Sequence, residues 1–80
     1  MRRPIILPDL GVRSAVLSVW FVNPGDRVYA GDRLVEILAD GATFDVSSPA
    51  TGRLVEKLAL PDDSLHSGQI LGRVQEEEIE

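Results

Sequence analysis

The sequence contains no cysteine, which removes disulfide staples, thiol nucleophiles and thiolate metal sites and makes a cytoplasmic setting the default expectation. It has one lysine, Lys57, and one histidine, His66. No apolar run approaches the roughly 20 residues that a membrane-spanning helix needs. Met1-Arg2-Arg3-Pro4 leads into too short an apolar stretch for a signal-peptide core, so the chain is expected to be soluble, unprocessed and free of membrane. With 13 acidic residues against 8 lysines and arginines, the formal net charge is −5, and electrostatics disfavour nucleic acid as a partner. Arg2 and Arg3 alone make no basic arm. Nowhere does a helical period run between caps, which excludes helices longer than a turn. Eighty residues make one small domain with a modest core, held by packing alone.

What is present is a series of short β-prone runs separated by turn chemistry. The central one is Glu36 to Val46, two such runs meeting at Asp40-Gly41. Asp-Gly between apolar runs is a strong hairpin signal, because a type I′ turn needs positive φ at both central residues. Before it, strands are expected at Ile5–Leu7, at Ala15–Val22, briefly at Arg27–Tyr29, and at Arg33–Ala39. After it, Ala42–Ser47, Arg53–Leu60 and Ile70–Gln75 complete the series, with breaks at Ser48-Pro49-Ala50-Thr51-Gly52 and Pro61-Asp62-Asp63.

The chain also repeats itself. Pro24 and Pro61 are 37 residues apart (61 − 24 = 37). At the same spacing Asp26 matches Asp63, Val28 matches Leu65, Gly31 matches Gly68, Leu34 matches Leu71 and Ile37 matches Val74. Upstream, Ala15 matches Gly52, Leu17 matches Leu54 and Phe21 matches Leu58. Two copies of about four strands each predict a closed two-fold arrangement rather than a solenoid, because each half alone would expose an apolar face. One match fails: Trp20 corresponds to Lys57. A lysine in an apolar slot lays its stem along the core and sends its ammonium to water.

Other residues carry chemistry only in principle. Asp62-Asp63-x-x-His66 has metal-binding residue types, but Asp63 repeats the turn residue Asp26 and His66 repeats Tyr29, so no metal site is expected. Glu36 and Asp45 flank the hairpin, yet two carboxylates without a pocket are no acid/base pair. Trp20 and Phe21 are expected to fill the interior. No catalytic residue and no small-molecule substrate is foreseen, so the chain is not expected to be an enzyme. The domain is placed at residues 1–75, and Glu76-Glu77-Glu78-Ile79-Glu80 is read as a solvated, frayed acidic tail.

Pro8-Asp9-Leu10-Gly11, then Trp20 and Gly25-Asp26-x-Val28-x-x-Gly31-Asp32-x-Leu34-x-Glu36-Ile37, then Val46-x-Ser48-Pro49-x-x-Gly52-x-Leu54, and finally Gly68 with Ile70-Leu71, together resemble a lipoyl domain of the biotinyl/lipoyl carrier family. The resemblance is strongest to lipoyl domains of 2-oxo acid dehydrogenase complexes. It implies an all-β fold, a flattened β-barrel or barrel-sandwich hybrid of two four-stranded antiparallel sheets with an internal pseudo-two-fold. It also implies that the Asp40-Gly41 hairpin is the exposed tip where the family carries lipoic acid or biotin on a lysine. Lipoyl domains have Asp-Lys-Ala there; this chain has Asp40-Gly41-Ala42. Glycine has no amine to acylate, so Gly41 takes the lipoyl-lysine position and no cofactor is expected. Lys57 falls in a different strand and does not replace the missing amine. The segment Gly11–Ala15 is slightly shorter than the family's loop beside the tip, which helps partner enzymes recognise the domain. The function expected is that of a lipoyl-like domain without its lysine, a non-catalytic interaction or structural module with an unidentified protein partner. The alternative is an E2-like carrier component associated with a 2-oxo acid dehydrogenase or other biotin- or lipoyl-dependent complex.

Overall fold

The computed structural model describes residues 1–77. Eight strands run in the order β1 (Arg2–Ile6), β2 (Ala15–Trp20), β3 (Arg27–Val28), β4 (Arg33–Ala39), β5 (Ala42–Ser47), β6 (Gly52–Lys57), β7 (Ser64–Leu65) and β8 (Ile70–Glu76). They form two four-stranded antiparallel sheets. Sheet A has the order β1-β8-β6-β3 and sheet B the order β5-β4-β2-β7. The body is elongated, 43 × 20 × 17 Å. Among the described residues no helix is long and apolar enough to cross a membrane.

The expected repeat is built into the hydrogen bonds. Strands β2, β3 and β4 recur as β6, β7 and β8 at the same spacing (52 − 15 = 37, 64 − 27 = 37, 70 − 33 = 37), and the repeat exchanges the two sheets. The irregularity between Leu17 and Val19 recurs between Leu54 and Glu56. The Asp26 carboxylate accepts the Asn23 N–H at 2.8 Å, and the Asp63 carboxylate accepts the Leu60 N–H at 2.8 Å. Phe21 N–H donates to the Leu34 carbonyl as Leu58 N–H donates to that of Leu71. Identical turn geometry at both sites explains why turn residues and glycines repeat in the sequence along with apolar ones.

Alternation sends Ile5, Leu17, Leu34, Ile37, Leu54, Leu71 and Val74 inward, each at most 1% exposed. Burying each such side chain contributes about 1.5–3 kcal/mol, and these residues clamp the two sheets together.

Local expectations need correction: β6 ends at Lys57 rather than Leu60, and Ser64–Leu65 forms a short strand that is not among those expected. The first strand starts at Arg2 rather than Ile5, because pairing with β8 begins at Arg2 opposite Gln75. Pro4 is tolerated there because β1 is an edge strand. Strand β2 ends at Trp20, and Phe21 does not fill the interior: it is 40% exposed, with the Arg33 guanidinium 4.4 Å from its ring centroid. Adjacent residues on an extended chain face opposite ways, and Trp20 is the one packed on the core. Finally, Glu76 and Glu77 are not frayed. Glu76 lies in β8, its N–H donates to the Met1 carbonyl at 2.9 Å, and its carboxylate pairs with Arg3 at 3.0 Å. Glu77 N–H donates to the Thr51 carbonyl, and its carboxylate grips Arg27. The rest of the expected tail, 78–80, lies outside the described residues.

Candidate functional site

The site begins with the β4–β5 hairpin. Ala39 pairs with Ala42, leaving Asp40 and Gly41 as the whole loop. Their φ angles are 50° and 78°, the positive values that a two-residue primed turn requires. Aspartate tolerates this region better than most residues, and glycine enters it freely. A Cβ at residue 41 would meet nothing within 4 Å, so the apex faces open space. Asp40, Gly41 and Ala42 are thus where the sequence placed them, at an exposed tip. Residues 40–42 supply one carboxylate and no amine.

Beside the tip lies a cleft of about 210 Å³ whose lining includes Leu7, Pro8, Leu10 and Arg13 from the β1–β2 connection together with Leu65 and His66. Ala15, which also lines it, pairs with Ala39 at the base of the hairpin and with Leu65. The cleft exists because the first half has a longer connection. Gly31 N–H donates to the Ser48 carbonyl as Gly68 N–H donates to that of Leu7, so Leu7 and Ser48 are equivalent. From Leu7 to Ala15 is eight steps, while from Ser48 to Gly52 is four (15 − 7 = 8, 52 − 48 = 4). Sequence reasoning missed the cleft, although the unequal spacing of the two copies carried the signal.

The remaining candidates are dispersed. Lys57 is in β6 of the other sheet, half-buried, with its ammonium 3.2 Å from Asn23 Oδ1 and 5.4 Å from the Trp20 ring centroid. It does not approach the tip. Trp20 Nε1–H donates to the Ala59 carbonyl at 2.9 Å, so each partner in the mismatched repeat pair is satisfied locally. Asp63 is committed to its turn, Asp62 has φ 73°, and His66 N–H donates to Gln69 Oε1. Among the described residues no three His, Asp or Glu side chains converge as a metal site would require. Glu36 and Asp45 are directly opposed across β4 and β5, and Asp45 lies 3.6 Å from Arg33. Neither carboxylate lines the cleft.

Comparison with known proteins agrees with this architecture. The family described as "Biotin-requiring enzyme" matches residues 3–74. The dihydrolipoyllysine-residue succinyltransferase component of the 2-oxoglutarate dehydrogenase complex of Escherichia coli (strain K12) is 38% identical over 74 residues, covering 90% of this chain and 18% of that protein. The dihydrolipoyllysine-residue acetyltransferase component of the pyruvate dehydrogenase complex of Corynebacterium glutamicum is 31% identical over 70 residues, covering 85% of this chain and 10% of that protein. The chain therefore spans less than a fifth of the length of these relatives. The solution structure of the lipoyl domain of the 2-oxoglutarate dehydrogenase complex from Azotobacter vinelandii superposes with a TM-score of 0.76 at 25% identity, covering 94% of this chain and 98% of that one.

Proposed function

This chain belongs to the biotin/lipoyl domain family, and on that premise we propose that it is a lipoyl-type domain without an attachment residue, a non-enzymatic module for protein interaction or structure. The observation that carries this reading is Gly41 at the hairpin apex, with positive φ and open space beyond it. Holding lipoic acid or biotin covalently at that apex requires an amine, and a hydrogen in place of a side chain cannot form the amide. The residues at the tip do not fit the group, so no acyl-transfer step is assigned to them. The sole lysine is in sheet A beside Trp20, engaged with Asn23, which supports leaving it out of that role as well. The cysteine-free composition supports a cytoplasmic setting.

The test is the mass of the purified chain after expression beside an active lipoyl ligase. The unaltered chain is expected to keep its unmodified mass, and Gly41→Lys to gain one lipoyl group at residue 41. Addition of lipoyl or biotinyl mass to the unaltered chain overturns the reading.

A second reading is favoured by the relatives themselves, which are named as transferase components of multienzyme complexes. Under it, the chain is an E2-like component that joins such a complex through protein contacts alone. A tagged chain would then retrieve a 2-oxo acid decarboxylase or dihydrolipoamide dehydrogenase subunit from native lysate. Retrieval of neither counts against it.

A further inference from the structure

The charges are divided unequally between the two faces. Strands of sheet A carry Arg2, Arg3, Arg27, Arg53, Lys57 and Arg73, whereas strands of sheet B carry Arg33 alone. Three of these arginines lie in one row across the outer surface of sheet A. Arg2 is opposite Gln75, Gln75 is opposite Arg53, and Arg53 is opposite Arg27. All four are exposed, while the neighbouring Val28, Leu54 and Val74 are buried, which places the row on the solvent side of the sheet.

Like charges directly opposed across strands are destabilising, and little in the described structure relieves this row. Arg53 Nη1 donates to the Gly25 carbonyl, an uncharged acceptor. Arg2 has no ion-pair partner among the described residues. By contrast, Arg3 and Arg73 on the same sheet are paired with Glu76 and Glu56. Among the described residues only Arg27 in the row meets a carboxylate. Glu77 reaches it in a two-point grip, with Nη1 and Nη2 donating to Oε1 and Oε2 at 3.0 and 2.7 Å. A shallow cleft of about 260 Å³, lined by Arg27, Arg53 and Gln75 with Gly52 and Val55, opens along the Gln75–Arg53–Arg27 part of the row, and Arg2 lies outside it at the β1 edge.

We infer that the outer face of sheet A docks an acidic, glutamate-bearing segment of a partner protein, with Arg2, Gln75 and Arg53 as the recognition row and Glu77 as an intramolecular placeholder on Arg27. The face already accepts a carboxylate in the bidentate manner that arginine favours. Four strands span about 14 Å, enough for a short run of side-chain carboxylates. Glu76 and Glu77 border the cleft and the chain carries net −5, so the face takes a short acidic segment whose carboxylates sit on the arginine row itself, not a long polyanion whose further charges would meet these glutamates. The hairpin tip belongs to sheet B, so the inference stands or falls independently of whether residue 41 carries any group.

The experiment is a fluorescence-anisotropy titration of the full chain with a labelled oligoglutamate peptide, with amide shifts checking that each variant is folded. Binding is expected at low salt and is expected to be lost at high salt. Arg2→Gln and Arg53→Gln should each weaken it about two- to fivefold, Glu77→Gln should tighten it similarly, and Arg33→Gln on sheet B should leave it unchanged. No binding at low salt, or equal weakening by Arg33→Gln, overturns the assignment. Tighter binding of an oligothymidylate of equal charge would assign the face to nucleic acid instead. Low-salt self-association that excludes the peptide would assign it to a second copy of this chain. Either result also overturns the inference.

Discussion

The two halves of the molecule make the same turns and the same strand pairs, yet their interiors are not copies. In the first half Trp20 pairs with Val35, and in the second Lys57 pairs with Gly72. The indole crosses between them. A Cβ on Gly72 would stand 2.5 Å from the Glu56 carbonyl oxygen and 3.1 Å from Trp20 Cη2, and the Lys57 ammonium lies over the same ring. The Glu56 backbone and the indole together leave no room for a side chain at residue 72, so the second copy has glycine where the first has valine, and its own large residue, Lys57, sends its ammonium to Asn23. Symmetric backbones thus coexist with asymmetric packing, because hydrogen bonds repeat strand by strand while volume is shared between sheets.

The largest expected effect probes a slot where the halves differ by one methyl group. Ala15 fits its place, 6% exposed, but a Cβ on its counterpart Gly52 would overlap the Gln75 carbonyl oxygen. Gly52→Ala should therefore cost about 4 kcal/mol in urea unfolding, whereas Ala15→Gly should cost about 1 kcal/mol. Equal losses would mean that the two slots are interchangeable after all.

Next comes the shared indole. Trp20→Ala removes its packing and its bond to the Ala59 carbonyl, with an expected loss of about 3 kcal/mol. Lys57→Ala forfeits a half-buried cation–π contact with Trp20 and should cost about 1 kcal/mol or less. If Lys57→Ala proves the more damaging in thermal melts, the core does not depend on the tryptophan as described.

Gly41→Lys bears on the hairpin end. Its φ of 78° is unfavourable for lysine, so about 1 kcal/mol of stability should be lost in denaturant titration, leaving enough fold for the mass test to be read. A loss several times larger would show that the tip supports the fold rather than merely closing it.

The smallest effect concerns Asp62, which has φ 73° where its counterpart Gly25 has φ 96°. Asp62→Gly should change stability by no more than about 0.5 kcal/mol, relief of the strained backbone being offset by the freer unfolded chain. A marked destabilisation would reveal a contact specific to the second half.

Much of this was legible from residues alone. Asp40-Gly41 between apolar runs specified a two-residue turn, and Pro24/Pro61 with Gly31/Gly68 specified the repeat, because each depends on local backbone chemistry that a residue type carries wherever it sits. Phe21, Glu76 and Glu77 were misread because their positions depend on distant strands. Phe21 is exposed by the choice of Trp20 for the interior, and the two glutamates are held by Arg3 and Arg27, each at least 50 residues away in sequence. The cleft beside the tip was half legible, in the four extra residues between Leu7 and Ala15.

The sequence by itself determined the turns, the alternation, the two-fold plan and the absence of an amine at the hairpin apex, all of which are properties of residues and their near neighbours. Only the tertiary structure decided that one indole serves both halves, that Gly52 must lack a side chain, and that Arg2, Arg53 and Arg27 stand in one row. The reason is register: which residues face one another across a sheet is fixed by pairing between strands far apart in the chain, and composition alone cannot place a charge beside its neighbour.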